Sequence, residues 1–319
     1  MRLGIPAIDS ADDYQRHFHD DVWRQAAAVI CERHRLSYKS LRRSIHGENI
    51  IFFVDGAFII KIYTPFREGF LREKAALEFA DGKLGIETPA IVKTGELEGL
   101  SYIVMTQLSG LPLRDVWAGI EERGRIEIVS RLGIALSKLH AHAAPLSETA
   151  LNRDWNGFIR RQAHTSVKRQ RACDANPEWL ESLPAYITAR LGLLPIQFEP
   201  VMLHGDVHPG NVLLTETGGR WQVTGLFDFA DSLCGFHEYE FVAPGVLMVQ
   251  GNRELQRVFL LAYGYEEAQL DLNMRARLML LTVLYECSDL RKYALRLAPA
   301  AVHLTLDELE AAIWTFAKG

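Results

Sequence analysis

The sequence predicts an α+β chain in which a strand-rich N-terminal third precedes a larger, mainly helical part with a small β insert. Three observations point there. β-rich runs flank Asp55-Gly56 and Glu98-Gly99, which are turn dipeptides. From Ile126 onward, apolar residues recur at helical spacing over long stretches. The strands cluster and do not alternate with helices, which excludes a parallel βαβ sheet.

The elements follow in order. Asp21 to Arg35 reads as a helix because Val22, Trp23, Ala26, Val29 and Ile30 share one face. Asn49 to Val54 and Ala57 to Tyr63 form a hairpin, Arg67 to Ala80 a helix, and Ala90 to Leu97 with Ser101 to Thr106 a second strand pair. Helices are then predicted over Ile126 to His142, Trp155 to Arg171 and Trp179 to Leu191. The β insert comprises Val201 to Leu203, Val212 to Leu214 and Trp221 to Phe227, with turns at Pro209-Gly210 and Gly218-Gly219. Helices return at Glu254 to Tyr263, in one long element near Leu270 to Leu297, and at Leu306 to Ala317. The organisation expected is an N-terminal lobe over 1–107 and a C-terminal lobe over 108–319.

Composition narrows the function. With 319 residues, 48% hydrophobic and 24% charged, the chain is an ordinary globular protein. A net charge of -5 argues against nucleic acid as the main partner. No apolar run reaches the roughly 18 residues of a membrane span, and the N-terminus lacks the pattern of a signal peptide. Cys31, Cys173, Cys234 and Cys287 are far apart, so reduced thiols in a cytoplasmic protein are expected. Acidity is concentrated late: residues 1–200 hold 26 Lys+Arg against 25 Asp+Glu, whereas 201–319 hold 9 against 15. Those acids are either solvated helix faces or a surface that would draw a cationic small molecule. Nothing in the sequence demands more than a monomer.

The chemistry concentrates in Val201 to Leu214. His204-Gly205-Asp206 ends one predicted strand, and Asn211 opens the next, five residues after Asp206. Seventeen residues beyond Asn211 stands Asp228, closing a third strand. A strand-loop-strand unit can bring these three side chains into one cleft. Phosphoryl transfer uses such a set, with one carboxylate beside the incoming hydroxyl and a carboxylate plus an amide oxygen on Mg²⁺.

This constellation resembles the aminoglycoside phosphotransferase family, which has a bilobal protein-kinase-like fold. The resemblance runs from about Asp21 to Ala312. It implies Asp206 as the catalytic residue, and Asn211 and Asp228 as the metal ligands. Lys61, at the end of Phe58-Ile59-Ile60-Lys61, stands where the phosphate-contacting lysine would be, with Glu73, or else Glu78, as its partner. Ser44 and Gly47 would lie in the loop over the phosphates, and Met105 and Gln107 in the adenine-binding hinge. ATP and Mg²⁺ are the implied cofactors. Within the family the chain is most similar to the hygromycin B phosphotransferase branch, through Ile8-Asp9-Ser10 with Tyr14, the run from Val223 to Asp231, and Asn252-Arg253-Glu254. It departs from the family pattern at Ala230, at Gly235-Phe236-His237 and at Glu240-Phe241-Val242, which bears on substrate identity more than on chemistry.

Asp231, Glu238, Glu286 and Asp289 are candidates for binding substrate ammonium groups. His204 is expected to brace the loop, and His140-Ala141-His142 and His17-Phe18-His19 are not expected to bind metal. Two readings compete with an antibiotic kinase: a small-metabolite kinase of choline, homoserine or sugar-amine type, and a catalytically silent nucleotide-binding relative. Absence of an Arg within His204-Gly205-Asp206 and of a glycine-rich loop argues against a protein kinase.

Overall fold

The computed structural model describes residues 3–45, 47–65, 69–152 and 154–317. The N-terminal part begins with α1 (Ala11–His17) and α2 (Val22–Arg33), followed by β1 (Leu41–Arg43), β2 (Ile50–Val54) and β3 (Phe58–Ile62). After α3 (Gly69–Ala80) come β4 (Ile91–Leu97) and β5 (Leu100–Thr106). These strands form one antiparallel sheet in the order β1-β2-β3-β5-β4. Both hairpin turns use left-handed backbone, with φ of 50° and 72° at Asp55-Gly56 and 49° and 85° at Glu98-Gly99. Those conformations match the strand twist and favour the residue types found there.

Strand alternation decides where each side chain goes. Phe52, Ile60, Ile62, Tyr102 and Val104 point outward into a core closed by Trp23, Ala26 and Ile30 of α2. Ile103 and Met105 lie on the opposite face, in the main core with Ala76 and Leu77 of α3. Lys61 pairs with Ile103 across the strands and shares that inner face.

A short connection leads to β6 (Leu111–Pro112) and α4 (Leu113–Val116), and then to α5 (Glu122–His140), α6 (Trp155–Ala172) and α7 (Pro177–Arg190). The β insert follows as β7 (Val201–Leu203), β8 (Val212–Thr217), β9 (Arg220–Leu226) and β10 (Leu233–Gly235). It is two small sheets, where the sequence suggested one unit: β6-β8-β9 and β7-β10. The chain ends with α8 (Val242–Leu247), α9 (Arg253–Tyr263), α10 (Leu272–Leu284), α11 (Leu290–Leu297) and α12 (Leu306–Ile313).

The single long helix expected near Leu270 to Leu297 is therefore two. Tyr285 leaves α10 in an extended conformation (φ -60°, ψ 137°), and Asp289 caps α11 by accepting from the Lys292 N–H. Gln170 of α6 grips the bend, donating to Ser288 O at 3.1 Å and accepting from Leu290 N at 2.9 Å. Among the described residues, no helix is long and apolar enough to cross a membrane.

α5 and α9 cross closely at Gly133. A Cβ there would lie 2.5 Å from the Phe259 carbonyl oxygen. Gly133→Ala is expected to destabilise the fold by about 1–3 kcal/mol, since backbone cannot yield as a side chain does. Urea denaturation measures this, and an unchanged midpoint would show that α9 shifts freely.

Candidate active site

Lys61 is the meeting point of the two halves. It is 4% exposed, and its Nζ lies 2.6 Å from Glu73 Oε2 and 2.7 Å from Asp228 Oδ1. Glu73, on the inner face of α3, is fully buried and also accepts the Tyr63 hydroxyl at 2.6 Å. Glu78 points elsewhere and pairs with Lys74 on the exposed face of the helix at 2.7 Å. Of the two sequence candidates, Glu73 is thus the one beside Lys61.

Burial works against the Lys61 ammonium, but Asp228 and Glu73 outweigh it and raise its pKa above the ordinary lysine value. Desolvation also opposes the Asp228 carboxylate, yet Lys61 holds that carboxyl below its usual range. Protein surrounds Asp228 on most sides while a face of its side chain stays open to the cleft. Its backbone is left-handed, with φ of 66°. That conformation turns the chain sharply after β9.

The loop 204–211 between β7 and β8 carries the other half. Glu240 accepts from both His204 N, at 2.5 Å, and Gly205 N, at 3.0 Å. From the opposite side Tyr285 donates its hydroxyl to Gly205 O at 2.7 Å. Gly205 has φ of 82°, and a Cβ there would collide with the Asp231 carbonyl oxygen. His204 is wholly buried. Its Nδ1 accepts from Asp206 N at 3.2 Å and its Nε2 lies 3.1 Å from Phe227 O, so it braces the loop. Asn211 donates through Nδ2 to both the carbonyl and Oδ2 of Asp206, at 3.0 Å each. Phe227 N donates to Asn211 O at 3.1 Å, which ties the Asp228 turn to the same loop.

Asp206, Asn211 and Asp228 therefore converge as the sequence spacing suggested. Glu240, Tyr285 and Tyr63 were not singled out from the sequence. Glu240 stands in a segment that departs from the family pattern, and its long-range bonds leave no local trace in the sequence. Glu240→Ala would strand two buried backbone N–H groups, at about 1–3 kcal/mol each. Turnover and thermal midpoint are expected to fall together. Unchanged turnover would show that the loop holds its shape without Glu240.

A cavity of about 720 Å³ opens between the halves, lined by Gly47, Lys61, Asp206, Asp228, Asp231 and Glu286 among others. Gly47 has φ of 135°, and its carbonyl accepts from Tyr14 of α1 at 3.0 Å. Ser44 donates its N–H to Ile51 O at 2.9 Å; His46, between them, lies outside the described residues. Met105 is buried on β5, and Gln107 N donates to Ala57 O at 2.9 Å at the connection between the halves. Burial and its neighbours Asp206 and Asp228 push the Asp231 carboxyl up.

Two of the four ammonium-binding candidates lie away from this cavity. Glu238 is buried in a two-pronged pair with Arg277, at 2.5 and 2.6 Å, and also accepts from Tyr265. Asp289 is the α11 cap. Buried charge needs a partner, and Glu238 already has one.

Among the described residues, no three His, Cys, Asp or Glu side chains are grouped to hold a metal. Asn211 and Asp228 do fit a cation that takes further oxygens from phosphate and water. Asn211 spends its amide nitrogen on Asp206, which leaves the oxygen to offer, and Asp228 is held ionised by Lys61. An all-oxygen pair of this kind suits Mg²⁺.

The fold and this cleft define a kinase-like phosphotransferase. The phosphotransferase enzyme family matches residues 42–278, and the chain belongs to that family. It is a phosphotransferase by family. Similar solved structures include aminoglycoside 2'-phosphotransferase-IIIa in its GDP complex, with TM-score 0.69, 16% identity, and 92% of this chain and 98% of that one covered. The streptomycin-ATP-APH(2")-IIa ternary complex aligns with TM-score 0.60 at 15% identity over 83% and 91%. Aminoglycoside phosphotransferase APH(4)-Ia aligns with TM-score 0.60 at 18% identity over 93% and 99%. No curated protein matches the chain.

Proposed function

We propose that the chain transfers the γ-phosphoryl group of ATP, with Mg²⁺, to a hydroxyl of an amine-bearing small molecule. Aminoglycoside antibiotics of the hygromycin B type are the first acceptors to test, and their phosphorylation would inactivate them. The observation that carries this reading is the convergence of Lys61, Glu73 and Asp228 with Asp206 and Asn211 on one cleft.

The nucleotide would bind between lobes 1–107 and 108–319, with Met105 and Gln107 toward its adenine and Ser44 and Gly47 toward its phosphates. Lys61 pairs with the phosphates and Glu73 keeps it in place. Asn211 and Asp228 would hold Mg²⁺, which would supply neutralising charge when bound. Asp206 orients the acceptor hydroxyl and takes its proton late in a largely dissociative transfer. Catalysis then rests on positioning and charge. Asp231 and Glu286, both lining the cleft, would attract substrate ammonium groups. Similar structures holding kanamycin, gentamicin or streptomycin support a cationic acceptor.

A small-metabolite kinase is the second reading, favoured by a cation-lined pocket adjoining Asp206. Mass spectrometry of hygromycin B and other aminoglycosides after incubation with enzyme, ATP and Mg²⁺ separates the two. A gain of one phosphoryl group, about 80 Da, supports an antibiotic kinase. No gain across the panel with ATP still bound would transfer the assignment to a metabolite kinase or a silent relative.

A further inference from the structure

The two sides of Asp206 differ in charge. In the main cleft, Glu48, Asp206, Asp228, Asp231 and Glu286 face Lys61 and Arg72. A second cavity of about 370 Å³ shares Asp206, Tyr285 and Cys287 with it, but is lined by Arg114, His208, Lys292 and Arg296. Among the described residues, Asp206 is the only carboxylate in that lining. The excess of acids over residues 201–319 conceals this local inversion.

The cations there are largely uncommitted. Lys292 makes no ion pair among the described residues. Arg296 donates Nη2 to Leu247 O at 2.7 Å, which fixes its guanidinium without neutralising it. Arg114 meets only its exposed neighbour Asp115, at 3.5 Å, a contact of little worth in water. Its backbone N–H donates to Pro209 O at 2.9 Å, which holds α4 against the loop of Asp206. Buried Tyr285 and Tyr293 also line it.

We propose that this pocket is an acceptor subsite for an anionic group, carboxylate or phosphate, held by Lys292, Arg296 and Arg114. This deepens the reading of Asp206 as the residue that receives the acceptor hydroxyl, and rests on it. The preferred acceptor is amphoteric, with its amine toward Asp231 and Glu286 and its acid group toward Lys292. Arginine forks and a lone ammonium bind such oxygens through charge-assisted hydrogen bonds. A polycation lacking an acid group meets three positive side chains in this subsite.

Calorimetric titration of the full chain with glucosamine, glucosamine 6-phosphate, glucosaminic acid and hygromycin B tests this. At least one of the two acids is expected to bind about tenfold more tightly than glucosamine, a gap that charge-assisted hydrogen bonds can supply. Which of the two does so distinguishes a phosphate from a carboxylate. Lys292→Gln, and separately Arg296→Gln, should shrink that ratio severalfold. The proposal is overturned if glucosamine or hygromycin B binds as tightly as both acids. It is equally overturned if neither acid binds at millimolar concentration, or if both variants leave the ratio unchanged. ADP release with ATP and the same compounds is the independent arm. Preferential acid binding without ADP release from any acceptor would remove the phosphotransfer reading and the acceptor role, and leave an anion site standing.

Discussion

Asp206→Asn is expected to lower acceptor-dependent ADP release by roughly 10²–10⁴-fold, the usual contribution of a positioned general base. The substitution keeps shape and removes one property. Asn211 donates Nδ2 to Asp206 Oδ2 at 3.0 Å, and an amide oxygen in the same place can accept that bond. The loop is also pinned by Glu240 and Tyr285 through the backbone of His204 and Gly205, independently of the Asp206 side chain. The negative charge is lost, and with it the capacity to take a proton from the acceptor; His208 Nε2, 3.3 Å from Asp206 Oδ2, then faces a neutral amide. ATP affinity, read by titration, is expected to stay nearly constant. Turnover close to wild type would remove Asp206 from the chemistry.

Lys61→Met is expected to cost about 3–5 kcal/mol of stability as well as most activity, because breaking a buried pair strands its partners. Glu73 is fully buried and keeps only the Tyr63 hydroxyl, and Asp228 loses the charge that holds it ionised. Adding Glu73→Gln to Lys61→Met should recover part of the loss, since it removes one stranded charge. The effect has a pH signature. A carboxyl whose folded pKa is depressed adds stability that is complete above its unfolded value, 3.8 for Asp228, and is lost as pH falls through the lower folded value. The gap between wild type and variant should therefore narrow below about pH 4. At the alkaline end, the raised Lys61 contributes fully below its ordinary 10.5 and fades only above it. Chemical denaturation across pH measures both. A loss under about 1 kcal/mol, the range of an exposed pair, would mean that the three groups are not coupled.

What could be read from the sequence was local. The hairpins at Asp55-Gly56 and Glu98-Gly99 announce themselves because only certain residues tolerate their backbone angles. α1 was missed because seven residues with Tyr14 as the sole buried side chain show no periodicity; Ser10 caps it and Tyr14 ties it to Gly47. The pairing of β7 with β10 is not legible in the sequence, because a three-residue strand does not reveal its partner. The break between α10 and α11 is hidden in the sequence, although Asp289 is a good cap, because apolar residues continue across it. The candidate site was legible where spacing along one loop sufficed, as for Asp206 and Asn211. Lys61 and Glu73 became a pair only through the sheet register and the burial of one helix face. Glu240 and Tyr285 act across 35 and 80 residues of chain, which no motif spans.

The bend between α10 and α11 has a bearing on how acceptors are chosen. It presents Tyr285, Glu286 and Cys287 to the cleft. Both its ends are anchored, by Tyr285 on Gly205 and by Gln170 on Ser288 and Leu290. These three residues are ordered before any acceptor arrives, so little freedom is lost there on binding. The wall works as a fixed template. On the proposed function, acceptors would be sorted by how their groups match positions already set, and substitutions at Glu286 or Cys287 would retune that match without disturbing the groups proposed for phosphoryl transfer.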